Sequence, residues 1–219
     1  KASFREKKHN DYIKEYQNLI IAYKDAPIKF ANSLNKKNVI GLINGRMEFG
    51  PRALCNRSII VGTSDRNIND WLNKRMQRTE FMPFAPVMRK EIADQYIKNY
   101  NSDDVTLNFM TSTVNCTDQF KENNPAVVHI DKTARPQLVT KELNHFIWHV
   151  LLEWEQITKE NSLVNTSFNI HEEPIICDVD EGMESLSKGV IDSRDILYFI
   201  SLNTLFVLLT QTILTSRKW

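Results

Sequence analysis

Three arginines, Arg46, Arg52 and Arg57, fall within the twelve residues that follow Gly45, and the only carboxylate among them is Glu48. One Glu48 cannot neutralise three guanidiniums. Planar forks left over in a concave loop suit phosphate or carboxylate oxygens, which they can hold two at a time. A surface loop of ordinary ion pairs is the competing account. Lys74, Arg75 and Arg78 form a second basic stretch, followed by Pro83-Phe84-Ala85-Pro86. That sequence would place fixed charges beside a rigid turn, or simply complement a helix C-terminus. His129, Asp131 and Arg135 make a third cluster, closed by Pro136. The alternative for Arg135 is an ion pair with Asp131 that only braces the turn. Asn165-Thr166-Ser167-Phe168-Asn169 is the fourth; its hydroxyls and amides could bond phosphate or ribose, or satisfy the turn's own backbone.

Other groups carry less. His145 and His149 are four apart, a spacing that permits two metal ligands on one helix face, yet no third ligand stands near, and solvated helix histidines are expected. Cys55, Cys116 and Cys177 are widely spaced, with no Cys-x-x-Cys pair, so they read as core or surface thiols in a reducing cytoplasm. Neither of the two standard glycine-rich nucleotide fingerprints occurs.

Elements must hold these clusters in place. Pro27 opens a helix carrying Ile28, Ala31 and Leu34; Val39–Ile43 and Ser58–Val61 read as strands on either side of the first arginine loop. Ser64 or Asp65 caps a helix with Ile68, Trp71, Leu72 and Arg75 on one face, and Pro83 and Pro86 end any helix beyond it. Strands are expected at 105–110, 127–130, 163–166 and 196–200. Helices are expected at 140–158, with an apolar stripe from Leu143 to Ile157, and at 178–189, opening on an Asp178/Glu181 capping box. The class is mixed α/β.

The 219 residues carry 28 Lys plus Arg against 27 Asp plus Glu, a net charge of +1, with 42% hydrophobic residues. Such a chain buries a real core in one domain, and its near-neutral charge argues against nucleic acid as a partner. The apolar tail after Ile200 is too interrupted by polar residues for a membrane span. Without an initiator Met, the chain reads as a piece of something longer.

In this order and spacing the four clusters resemble the C-terminal domain of the NodU/CmcH-type O-carbamoyltransferases, from about residue 39 to 199. Gly45 to Ser58 is similar to that family's Gly-Arg-x-Glu-Phe-Gly-Pro-Arg-Ala-Leu-Gly-x-Arg-Ser signature. Val127 to Gln137 resembles its Val-Val-His-x-Asp-x-Thr-Ala-Arg-Pro-Gln segment. Asn165 to Asn169 and Glu173-Pro174-Ile175 match its Asn-Thr-Ser-Phe-Asn and Glu-Pro-Ile elements.

The resemblance implies a YrdC-like fold, a twisted mixed sheet flanked by helices with a concave basic face. It further implies formation of carbamoyl-adenylate from carbamoyl phosphate and ATP with Mg²⁺. Arg46, Arg52 and Arg57 would then surround carbamoyl phosphate; Arg78, Arg135 and Ser167 would meet the ATP phosphates, aided by Lys74 and Arg75, and Asn169 would steady the nucleotide. The partners implied are small-molecule substrates and a preceding actin-like ATPase-fold domain that passes the carbamoyl group to a hydroxyl; a homodimer is a further possible assembly. Departures from the pattern are Cys55 and Glu172 where relatives carry Gly, and Gln77 and Met82 where they carry Lys and Arg. Gln77, Met82 and Glu172 favour an alternative, a nucleotide-binding or interaction module that has lost catalysis or works only when docked to the preceding domain.

Overall fold

The computed structural model describes residues 25–76, 84–169 and 173–182. Five strands form one mixed sheet, in the order β1 (Ile40–Ile43), β2 (Arg57–Gly62), β7 (Ser162–Ser167), β3 (Ala85–Arg89), β6 (Gln137–Val139). All neighbours are antiparallel except β3 and β6, which run parallel. Two short strands, β4 (Val114–Asn115) and β5 (Thr133–Ala134), pair apart from it. The period of two along each strand divides the core. Ile59, Val61, Met88, Leu138 and Val164 face one side with Leu72, Phe84 and Phe120. Ile60, Val87, Val139 and Leu163 face the other, beneath helices α1 (Ala26–Asn35) and α5 (His145–Thr158). A one-residue slip would turn every one of these side chains to the wrong layer.

Local sequence explains the helices. Pro27 sits in the first turn of α1, where its missing N–H costs nothing, and Ala31 and Leu34 are buried. Helix α5 packs Ile147, Val150, Leu151 and Trp154 inward. It starts at His145, not Thr140, because Asn144 caps it by accepting a bond from the Ile147 amide at 3.2 Å; Leu143 lies before the helix and is exposed.

Three expected strands or turns come out differently. Residues 105–110 form a 3-10 turn, Val105–Phe109, because the Asp104 carboxylate accepts from the Thr106 amide and Met110 closes it in the left-handed region. At 127–130 a 3-10 turn, Pro125–Val127, replaces the strand. Pro86, expected in a turn, lies inside β3, facing Val164 of β7; pairing with β6 begins only at Val87, so no β6 acceptor is left waiting for its absent N–H. Helix α2 (Ile68–Arg75) buries Asn69, Leu72 and Asn73 and leaves Trp71 half exposed, which corrects the expected apolar face; its N-cap Asn67 makes no side-chain cap bond. Two further helices are short, α3 (Ala93–Tyr96) and α4 (Asp118–Asn123). A helical turn follows Asp178, whose carboxylate accepts from the Glu181 amide at 3.0 Å. The expected strand at 196–200 and the apolar tail lie outside the described residues. Among the described residues no helix is long and apolar enough to cross a membrane.

Candidate functional site

The arginine loop connects β1 to β2, and three residues turn it through left-handed backbone: Gly45 (φ 54°), Gly50 (φ 116°) and Cys55 (φ 69°). Glycine takes that conformation freely, whereas Cys55 takes it under tertiary constraint. Glu48 supplies much of that constraint. One carboxylate oxygen, Oε1, accepts from the backbone amides of Leu54 (2.6 Å), Asn56 (2.7 Å) and Arg57 (3.1 Å). The acid therefore shapes the loop instead of neutralising its arginines.

A second bracket ties the loop to the sheet. Asn165, in the middle of β7, donates from Nδ2 to the Ala53 carbonyl at 2.8 Å and to Gln137 Oε1 at 2.6 Å. The Cys55 thiol donates to the same Gln137 oxygen at 3.4 Å. Asn144, the cap of α5, donates to Asn56 Oδ1 at 3.1 Å and to the Cys55 carbonyl at 3.4 Å. Sequence reasoning gave Glu48 only the part of a counter-charge and the Asn165 amide that of a phosphate, ribose or turn partner, and it assigned no role to Gln137 or Asn144, whose signal was position within a cluster or at a helix start.

Arg57 is not available in the way expected. It is 6% exposed, and its guanidinium donates to four carbonyls: Cys177 (2.9 Å), Asn56 (2.8 Å), Gly45 (3.2 Å) and Asn44 (3.3 Å). A fork so engaged positions the loop and the segment before Asp178 rather than gripping a phosphate. Arg46 and Arg52 are exposed on the loop, and among the described residues neither is ion-paired.

Arg135 follows β5. Its Nε is buried with no hydrogen-bond partner among the described residues. Burial, and secondarily the charge of Arg52, hold its guanidinium below the ordinary arginine value. The bracing pair with Asp131 is not formed. Asp131 Oδ1 accepts instead from the Thr133 amide (3.0 Å) and hydroxyl (2.7 Å), and these two bonds keep its carboxyl below the usual range. His129 Nδ1 lies 3.1 Å from the Thr133 hydroxyl; burial above all, then the Arg135 charge, lower its pKa, while Asp131 raises it. Arg52 and Arg135 thus bring two positive charges together with no carboxylate paired to either among the described residues, an arrangement that an anion would relieve.

The remaining expected residues are scattered in role. Ser167 ends β7 half-buried, opposite Ser58. Asn169 Nδ2 donates to the Glu173 carbonyl at 2.7 Å, so its amide is engaged with the backbone four residues on. Lys74 and Arg75 are exposed in the last turn of α2, where they complement the helix dipole. Arg78 lies outside the described residues, as do Gln77, Met82 and Glu172. No cluster of three or more His, Cys, Asp or Glu placed to hold a metal exists among the described residues.

The family model described as Carbamoyltransferase C-terminus matches residues 31–200. A protein of Methanocaldococcus jannaschii is 33% identical over 186 residues, 85% of this chain and 34% of its own length. Nodulation protein NolNO of Sinorhizobium fredii is 36% identical over 155 residues, 70% of this chain and 23% of its own. Nodulation protein NolO of Bradyrhizobium diazoefficiens is 36% identical over 157 residues, covering 70% and 28%. The chain thus spans about a third or less of these relatives. Among solved structures, full-length HypF in a phosphate- and nucleotide-bound form superposes with a TM-score of 0.53 at 20% identity, over 76% of this chain and 20% of that one, a likeness of fold.

Proposed function

This chain belongs to the carbamoyltransferase C-terminus family, and from that premise we propose that it is the carbamoyl-activating part of an O-carbamoyltransferase. Its reaction forms carbamoyl-adenylate from carbamoyl phosphate and ATP. For the atoms to balance, water cleaves carbamoyl phosphate to carbamate and phosphate, a carbamate oxygen attacks the α-phosphorus of ATP, and pyrophosphate leaves. Two anions have to meet in that step. Their mutual repulsion is the barrier that fixed positive charge removes, and catalysis of this kind rests on positioning and electrostatics without a covalent nucleophile.

The observation that carries the reading is the buried Nε of Arg135, which has no partner among the described residues; the exposed Arg52 adds a second positive charge that acts on it. Arg46, exposed on the same loop, and Arg78 are the further candidates for phosphate oxygens, with Lys74 and Arg75 in supporting positions. Arg57, Glu48 and Asn165 hold the loop that presents them. Mg²⁺ arrives with ATP as part of the substrate. HypF, the structural neighbour, was solved with a phosphate and a nucleotide bound, which supports the choice of substrates. Transfer to a hydroxyl acceptor falls to a further domain, consistent with the greater length of the relatives.

The test is ATP/pyrophosphate exchange by the purified chain. Exchange that requires carbamoyl phosphate is expected. Binding of both ligands without exchange sinks catalysis by this part alone.

A further inference from the structure

Helix α5 carries a pair of imidazoles that the proposed reaction does not use. His145 and His149, one turn apart on an exposed face, converge with Nε2 to Nε2 at 3.2 Å and ring centroids 4.4 Å apart. Zinc–nitrogen bonds of about 2.0–2.1 Å separate two cis nitrogens by roughly 3.3 Å in a tetrahedral site and roughly 2.9 Å at a right angle. The observed spacing falls between these values, so it matches the separation of two nitrogens bound to one cation.

The second ring is held in place. Trp148 packs edge-on against His149, centroids 4.9 Å apart and planes at 86°, and its indole N–H donates to Glu91 Oε1 at 2.9 Å. A ligand fixed by its neighbours gives up less freedom on binding. Local charges are mixed. Lys141 opposes a cation here and Glu153 favours one, both being close enough to act on the His149 imidazole.

We propose that His145 and His149 form a two-nitrogen surface site for a divalent cation of borderline softness, zinc or copper(II), with water completing its coordination. Among the described residues no third protein ligand joins them, which makes the site open and exchangeable. Both Nε2 atoms must present lone pairs to the ion. In the metal-free protein one of them instead donates to the other, so binding exchanges that hydrogen bond for two metal–nitrogen bonds.

Calorimetric titration of the purified chain with zinc chloride tests this, with His145→Gln, His149→Gln and Cys177→Ser alongside, because Cys177 is the exposed thiol. One equivalent is expected to bind the parent. Each Gln substitution should weaken binding by at least about tenfold, since losing a ligand costs no less than losing its supporting partner, whereas Cys177→Ser should leave it unchanged. Zinc should also raise the melting temperature of the parent more than that of either Gln variant. The ring nitrogens of both histidines should shift on zinc addition in the NMR spectrum of the parent, a readout independent of any variant. The proposal is overturned if the parent binds no zinc, if both Gln variants bind as the parent does, or if the affinity disappears with Cys177 alone.

Discussion

Arg57 and Arg135 are the same residue type in neighbouring clusters, yet their surroundings give them opposite jobs. Four carbonyls occupy the first; the second keeps a buried donor without a partner among the described residues. Arg135→Lys is therefore expected to weaken ATP binding by roughly 1.5–3 kcal/mol, since an ammonium cannot reproduce the planar fork, while thermal stability barely moves. Isothermal titration with MgATP on the folded variant checks it; unchanged affinity would remove Arg135 from the site. The cysteines separate by burial. Desolvation pushes the Cys55 thiol well above its usual value and the Cys116 thiol up to about 11, and both are buried, whereas Cys177 is exposed. Iodoacetamide at about pH 8 should alkylate Cys177 in the native protein and reach the other two only after unfolding, because the thiolate is the reacting form. Mass spectrometry of the digested protein reads this directly.

At the scale of elements, the loop is held by four anchors: the Glu48 carboxylate on its own amides, the Arg57 guanidinium on the Asn44 and Gly45 carbonyls, the Gln137–Asn165 bracket on the sheet, and the Asn144 cap of α5. Strand β1 leads into it against Phe168, which follows β7. A Cβ on Gly41 would stand 2.5 Å from Phe168 Cε1, so even alanine must displace a buried ring. Gly41→Ala should cost about 1–3 kcal/mol by overpacking. Urea unfolding should show that loss, and Phe168→Leu in the same chain should recover part of it, since the two sites touch and their effects do not add.

For the whole molecule, the chain is one part of a longer architecture in its relatives, and acceptor recognition is expected to reside in what it does not share with them. Its own competence is expected to turn on Gln77, Met82 and Glu172, where the sequence departs from the pattern it resembles, in which Lys, Arg and Gly stand. A chain carrying Gln77→Lys, Met82→Arg and Glu172→Gly separates the two readings by its rate of carbamoyl phosphate-dependent exchange. Gain of exchange from an inactive parent identifies a module that has lost catalysis. An already active parent whose rate hardly changes identifies a working enzyme that neutralises phosphate by other charges. Each lost cation would otherwise lower the rate on the order of 10²-fold.

Much of this was legible in one dimension. The apolar run through Ile59, Ile60 and Val61, the buried stripe of α5 and the Gly-Arg loop depend on local pattern and on turn chemistry, and so the mixed α/β class and the family clusters could be read directly. The errors arose where neighbours remote in sequence decided, or where a side chain competed with the backbone. Asp104 and Met110 drew 105–110 into a 3-10 turn. The strand that holds Pro86 exists because β7 and β6 flank it. Residue type offered Arg57 as a phosphate ligand; in the fold the carbonyl of Cys177, 120 positions away, takes its Nε. A guanidinium has five donors and no fixed partner in the sequence. Whether it grips a ligand or its own backbone is settled by which oxygens the folded chain brings within about 3 Å of it.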